Sequence, residues 1–105
     1  MGRFHEAAIV AKTALEAFKN SNKEDHFHFH LANIYGKQNL FAQAESHYKT
    51  AIELNPRNAL YYANFGVLYH RWKKMAEAEK CYKKALELDP KHKSAQMNLK
   101  NLMHK

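Results

Sequence analysis

Cysteine is almost missing: Cys81 is the single one among 105 residues. Neither an internal disulfide framework nor a multi-cysteine zinc site can therefore form. Only 3 glycines and 2 prolines interrupt the chain, too few for a loop-rich or collagen-like molecule. No apolar run approaches the ~18 residues that a membrane-spanning helix needs. The opening Met1-Gly2-Arg3-Phe4-His5-Glu6 lacks the apolar stretch of a secretory signal. The 17 basic residues are scattered rather than blocked, which argues against a nucleic-acid-binding arm. Acidic residues number only 10, leaving a formal charge of +7, and that excess suits an acidic partner. Neither a glycine-rich phosphate loop nor a nucleophile motif occurs. No catalytic residue and no cofactor is expected.

What is present favours helix. Apolar residues make up 46% of the chain, with 6 Phe, 6 Tyr and 1 Trp, enough for the core of one domain. Alanine, leucine, lysine and glutamate, all good helix formers, are plentiful. The chain also repeats itself. Pro56 and Pro90 lie 34 apart, and the same offset places Leu31 on Phe65, Ala32 on Gly66 and Tyr35 on Tyr69. It continues with Phe41 on Met75, Ala44 on Ala78, Tyr48 on Tyr82 and Ala51 on Ala85. Ala51-Ile52-Glu53-Leu54-Asn55-Pro56 and Ala85-Leu86-Glu87-Leu88-Asp89-Pro90 are near copies. Agreement at so many places in one register means an internal repeat.

A period of 34 with small, aromatic, small and proline residues in this order resembles the tetratricopeptide repeat. The resemblance implies an all-α fold, an antiparallel helix-hairpin solenoid winding as a right-handed superhelix of about six helices. Tyr62 takes the place where that family usually has tryptophan, and His28 takes it in the earlier repeat. The predicted organisation is a half repeat at 2–20 (a second helix only), full repeats at 25–58 and 59–92, and a capping helix at 93–105. First helices are predicted over Asp25–Gln38 and Asn58–Trp72, and second helices over Phe41–Leu54 and Met75–Leu88. A last helix is predicted over His92–His104. Asp25 is the expected N-cap of the helix beginning at His26. Small residues at Ala32 and Gly66, and at Ala44 and Ala78, admit close helix approach. Pro56 and Pro90 end each repeat, because proline cannot continue a helix. Lys100 stands where Ala32 and Gly66 pack and cannot be buried unpaired, so the last helix should carry a solvated face, as terminal repeats do. Starting on a half repeat reads as a piece of a longer array. Its uncovered ends leave self-association open.

The resemblance also implies a concave face lined by the first helices. Its lining would be His26, Phe29, Asn33, Gly36 and Lys37, then Leu60, Ala63, Val67, His70 and Arg71, and finally Met97, Asn101, His104 and Lys105. Asn64 joins them as an asparagine place of the family's carboxylate-gripping members. Lys37, Arg71 and Lys105 recur at 34 and form a predicted basic stripe for an acidic or carboxylate-ended peptide. A row of solvated cations without a partner is the plainer alternative. In the heat-shock co-chaperone class a set of lysines, an arginine and two asparagines grips a C-terminal carboxylate. Asn33 and Asn64 match the asparagines, but Phe29, Ser94 and Asn98 stand at the basic places, so that grip is not expected. His26 and His30 share a helical face at a spacing able to bind a metal. No cysteine or carboxylate completes a set there, and no metal site is expected. Cys81 reads as a small apolar filler.

A narrower resemblance rests on Leu31-Ala32-Asn33-Ile34-Tyr35-Gly36-Lys37-Gln38 and Val67-Leu68-Tyr69-His70-Arg71-Trp72. These stretches are similar to the C-terminal repeats of the transmembrane and tetratricopeptide-repeat O-mannosyltransferase family. That implies a parent enzyme of the endoplasmic-reticulum membrane that mannosylates cadherin-type domains, with luminal repeats that recognise the acceptor. Lys73-Lys74 departs from the glycine-bearing turn of that family. The functional expectation is a protein-binding module for an extended or acidic segment. The compartment stays open between the endoplasmic-reticulum lumen and a cytosolic adaptor or co-chaperone, and a designed or minimal scaffold without ligand is a further alternative.

Overall fold

The computed structural model of the chain describes residues 23–103, which hold five helices and no strand. The chain forms two compact units that divide after Pro56. The first contains α1 (Glu24–Lys37) and α2 (Phe41–Leu54), and the second α3 (Ala59–Arg71), α4 (Met75–Leu88) and α5 (Lys93–Met103). The second helices have the predicted bounds, and the first helices differ by a residue or two at their ends. The predicted half repeat at 2–20, together with His104 and Lys105, lies outside the described residues.

Each hairpin turn is built by backbone bonds rather than by glycine. Asn39 N–H donates to Gly36 O (3.0 Å) and Leu40 N–H to Tyr35 O (2.9 Å). In the second unit Lys73 N–H donates to His70 O (3.1 Å) and Lys74 N–H to Tyr69 O (2.8 Å). This is the Schellman pattern, which satisfies the last carbonyls of a helix by turning one residue left-handed. Asn39 (φ 61°) and Lys73 (φ 67°) are those residues. Asparagine tolerates this region, whereas lysine carries a steric cost of roughly 1–2 kcal/mol.

Helix starts are more varied. The Asn58 side chain caps α3 by accepting from Leu60 N–H at 3.0 Å, a contact worth about 1 kcal/mol. At the start of α5, His92 Nδ1 accepts from Ala95 N–H at 3.2 Å. Asp25 does not cap α1 as predicted. The helix begins one residue earlier, at Glu24, and its flanking Lys23 makes no side-chain cap bond. Asp25 is instead buried within the first turn, where its carboxylate accepts from Asn55 Nδ2 at 3.3 Å. Asn55 follows the end of α2, so this bond ties the start of one helix to the end of the other and fixes their antiparallel sense.

The core of the first unit includes Leu31, Ala32, Ala44, Tyr48 and Ala51, all at most 3% exposed. That of the second includes Tyr61, Ala63, Leu68, Ala78, Tyr82, Ala85 and Ala95, again at most 3% exposed. Each fully buried aromatic or leucine contributes roughly 1.5–3 kcal/mol of transfer free energy. Gly66 permits a close approach: a Cβ there would stand 2.5 Å from Tyr82 Cε1 and 2.7 Å from Cδ1. Further along, Ala63, Ala85 and Ala95 meet in one small-residue cluster covered by Ala59, Tyr62 and Leu86. Contacts pairing residue 63 with 85 and 66 with 82 run in opposite directions, so α3 and α4 are antiparallel. α5 packs on both. Lys100 is exposed, as its charge requires.

Candidate functional site

The predicted lining residues separate into two groups. Lys37 and Arg71 are exposed in the last turns of α1 and α3, where a cation also complements the negative end of the helix dipole. His26 is exposed early in α1 and Asn101 late in α5. Leu60 and Val67 are 46% and 37% exposed on α3, and Met97 is 64% exposed on α5. Asn64 and His70 are half-buried. Phe29 and Ala63, predicted to line a groove, are not on an open face. Phe29 is 7% exposed and meets Tyr48 edge-on, with ring centroids 6.1 Å apart. Ala63 is 1% exposed inside the small-residue cluster. A first helix that packs on its own second helix has too narrow a free stripe for every predicted position, and these two fall on the packed side. Gly36 is also buried.

Asn33 is half-buried and its role is partly internal, because its Oδ1 accepts the Tyr48 hydroxyl proton. At the equivalent place in the second unit stands Val67. The Tyr82 hydroxyl is buried there without any hydrogen-bond partner. Burial, with a smaller push from neighbouring Cys81, raises the Tyr82 phenol to about 12. Burial, aided by Glu77, also pushes the Cys81 thiol up to about 12, so it is a protonated space-filler at neutral pH.

Sequence reading missed a cluster between α1 and α2. His28 Nδ1 lies 2.9 Å from His47 Nδ1, and the Tyr35 ring lies nearly parallel to that of His47, with centroids 5.6 Å apart. Desolvation lowers the His28 pKa from 6.5, against a weaker opposing pull from Glu24. The signal was available: both histidines sit on the inner side of a hairpin whose register the repeat defines. Within the second hairpin turn, the Lys74 ammonium sits 3.8 Å over the Trp72 ring, a cation–π contact. Among the described residues, no group of three or more His, Cys, Asp or Glu could hold a metal ion, and no helix is long and apolar enough to cross a membrane.

Two helical hairpins that echo each other at 34 residues define a helical-repeat protein, with accessible polar and charged side chains on its first helices. The chain belongs to the tetratricopeptide repeat family, whose model matches residues 27–58 and 59–92. Over 66 residues it is 37% identical to a Caenorhabditis elegans protein O-mannosyl-transferase, covering 63% of this chain but 10% of that protein. Among solved structures it is similar to the first TPR of Spaghetti (RPAP3) bound to an HSP90 peptide, SRMEEVD. That match has a TM-score of 0.85 and 26% identity, covering 98% of this chain and 79% of the other. The first TPR domain of human RPAP3 matches with a TM-score of 0.86, the same identity and the same coverage. An Arabidopsis OM64 TPR domain shares the fold at a TM-score of 0.84 and 22% identity, covering 98% and 83%. Likeness to peptide-binding domains of this family supports a protein-interaction module.

Proposed function

We propose that this chain binds an extended, acidic polypeptide segment, each unit offering the exposed face of its own first helix, with Lys37 on α1 and Arg71 on α3 available to carboxylates. The observation that carries this reading is the recurrence of an exposed cation in the last turn of each first helix, at one register. His26, Val67, His70 and Asn64 would contact the segment beside them. Asn101 and Lys105 would continue the set. A related domain holds SRMEEVD, a peptide rich in carboxylates, which supports an acidic ligand. The grip differs in kind, however. With Phe29, Ser94 and Asn98 at the basic places, and Asn33 engaged by Tyr48, side-chain carboxylates rather than a chain terminus are the recognised groups. Charge contacts of this type contribute mainly to association rate and orientation, and they weaken with salt.

The parent this reading favours is a protein O-mannosyl-transferase, in which the repeats would orient the acceptor protein in the endoplasmic-reticulum lumen while chemistry occurs elsewhere in the enzyme. The 37% identity to the nematode protein supports it.

The test uses a fluorescein-labelled peptide rich in Glu and Asp, and its Gln/Asn counterpart. Anisotropy should show binding of the acidic peptide alone, weakening as salt rises. Lys37→Glu with Arg71→Glu should abolish it while the circular dichroism spectrum stays helical. Undiminished binding by that folded double variant sinks the proposal.

A further inference from the structure

We propose that the His28–His47 pair is an acid-operated latch, holding the α1–α2 hairpin closed at neutral pH and releasing it in mild acid while the second unit stays closed.

His28 projects from α1 and His47 from α2, and their Nδ1 atoms meet at 2.9 Å. Two imidazole nitrogens at that distance share one proton, so one ring donates and the other accepts. A first extra proton can enter at the bare Nε2 of the donor ring and leave the bond intact. A second has only the accepting Nδ1 to enter. Two N–H groups then face each other, on cationic rings whose centroids stand 5.2 Å apart. The bond is lost. In the opened hairpin each imidazole meets water and takes its proton at about pH 6.5. The open form thus binds more protons than the closed one, and acid favours it.

The neighbours leave this balance in place. Burial lowers the His28 pKa, against a weaker opposing pull from Glu24, one turn earlier on α1. Asp25, also on α1, has its carboxylate on Asn55 Nδ2. The Tyr35 ring lies 5.6 Å from that of His47. On α2, Glu45 and Lys49 pair with each other at 3.9 Å. Each stands two residues from His47, and hence on the other side of the helix.

The second unit lacks the device. The offset of 34 puts Tyr62 in place of His28 and Cys81 in place of His47. The Cys81 thiol, pushed up to about 12, takes no proton in mild acid. An imidazole contact does occur there, His92 Nδ1 accepting from Ala95 N–H, but it belongs to the start of α5. The amides of α3 and α4 are therefore the reference.

Amide hydrogen exchange of the full chain, corrected for the intrinsic effect of pH, tests the latch. The range is about pH 7.5 to about 5.5, above the ordinary carboxylate range. Opening of α1 and α2 should increase up to about tenfold per pH unit below about 6.5, the slope of one extra proton. Opening of α3 and α4 should change far less. His28→Tyr with His47→Cys, which copies the second unit into the first, should abolish the increase. A flat response, an equal increase in both units, or an increase that persists in the double variant overturns the proposal. Should that variant fail to fold, nitrogen NMR of the histidine rings in the unsubstituted chain decides. Protonation of His28 and His47 must coincide with the loss of α1–α2 protection, and protonation without that loss refutes the latch.

Discussion

Replacing Gly66 with alanine sets two physical effects of known sign against each other. Alanine is the better helix former by about 1 kcal/mol at an unconstrained position. The new methyl, however, would stand 2.5 Å from Tyr82 Cε1, 2.7 Å from Cδ1 and 3.1 Å from Cζ. These are atoms of a ring edge, not the far end of a flexible chain, and Tyr82 is 0% exposed. Relief requires the ring or the helix to shift. Overpacking of this kind costs roughly 1–3 kcal/mol, so the clash should win by about 1 kcal/mol. A net loss of that size lowers the melting temperature of a domain this small by roughly 4–8 °C. The decisive form is a double-mutant cycle with Tyr82→Leu, followed by urea unfolding. Without the ring, Gly66→Ala should become neutral or favourable, giving a coupling of at least ~1 kcal/mol. If Gly66→Ala raises stability in the native background, or costs the same in both, the close-approach argument is wrong. Ala32 marks the contrast, since the first unit accommodates a Cβ at the same register with no loss of burial.

The two buried tyrosines should respond oppositely to loss of their hydroxyls. Tyr48→Phe breaks the bond to Asn33 and should cost ~1 kcal/mol in urea unfolding, whereas Tyr82→Phe removes an unpartnered hydroxyl and should be neutral or stabilising. Cys81 is raised from 9.0 to about 12 and Tyr82 from 10.0 to about 12. Both are held neutral by the fold, so their stabilising contribution is complete below pH 9 and is lost between about 9 and about 12. Melting scans across that range should show the decline, and iodoacetamide should alkylate Cys81 at pH 8 only as fast as the chain opens. On the acid side the sign reverses. His28 has its folded pKa depressed below 6.5, so its contribution is present above 6.5 and lost as the pH falls through the folded value. His28→Gln should flatten the acid limb of the stability profile, and an unchanged limb refutes the assignment.

The repeat period made most of the fold legible, because proline, alanine and tyrosine at matched places have direct steric meaning. The bounds of α2 and α4 followed from it. Asp25 was misread because acidic residues suit both the cap and the first turn of a helix, and only the distant Asn55 decides between them. Phe29 and Ala63 were placed on an open face by family position, but burial depends on what each side chain meets across the hairpin. The pairing of His28 with His47, 19 residues apart on successive helices, could have been drawn from the hairpin register but was not. Conversely, the contrast between Asn33 and Val67 was visible in the alignment of the repeats. Its consequence for the two tyrosine hydroxyls depends on which side chain each meets in the packed hairpin.

The reversals at Asn39 and Lys73 have identical backbone wiring although their side chains share nothing. Because main-chain amides close these corners, their shape is insulated from composition, and a modest steric tax is all that a charged residue adds there. Such corners are places where a repeat can acquire or shed charge at the tip of its leading helix without disturbing the hairpin, so surface chemistry is free to diverge between units of one architecture.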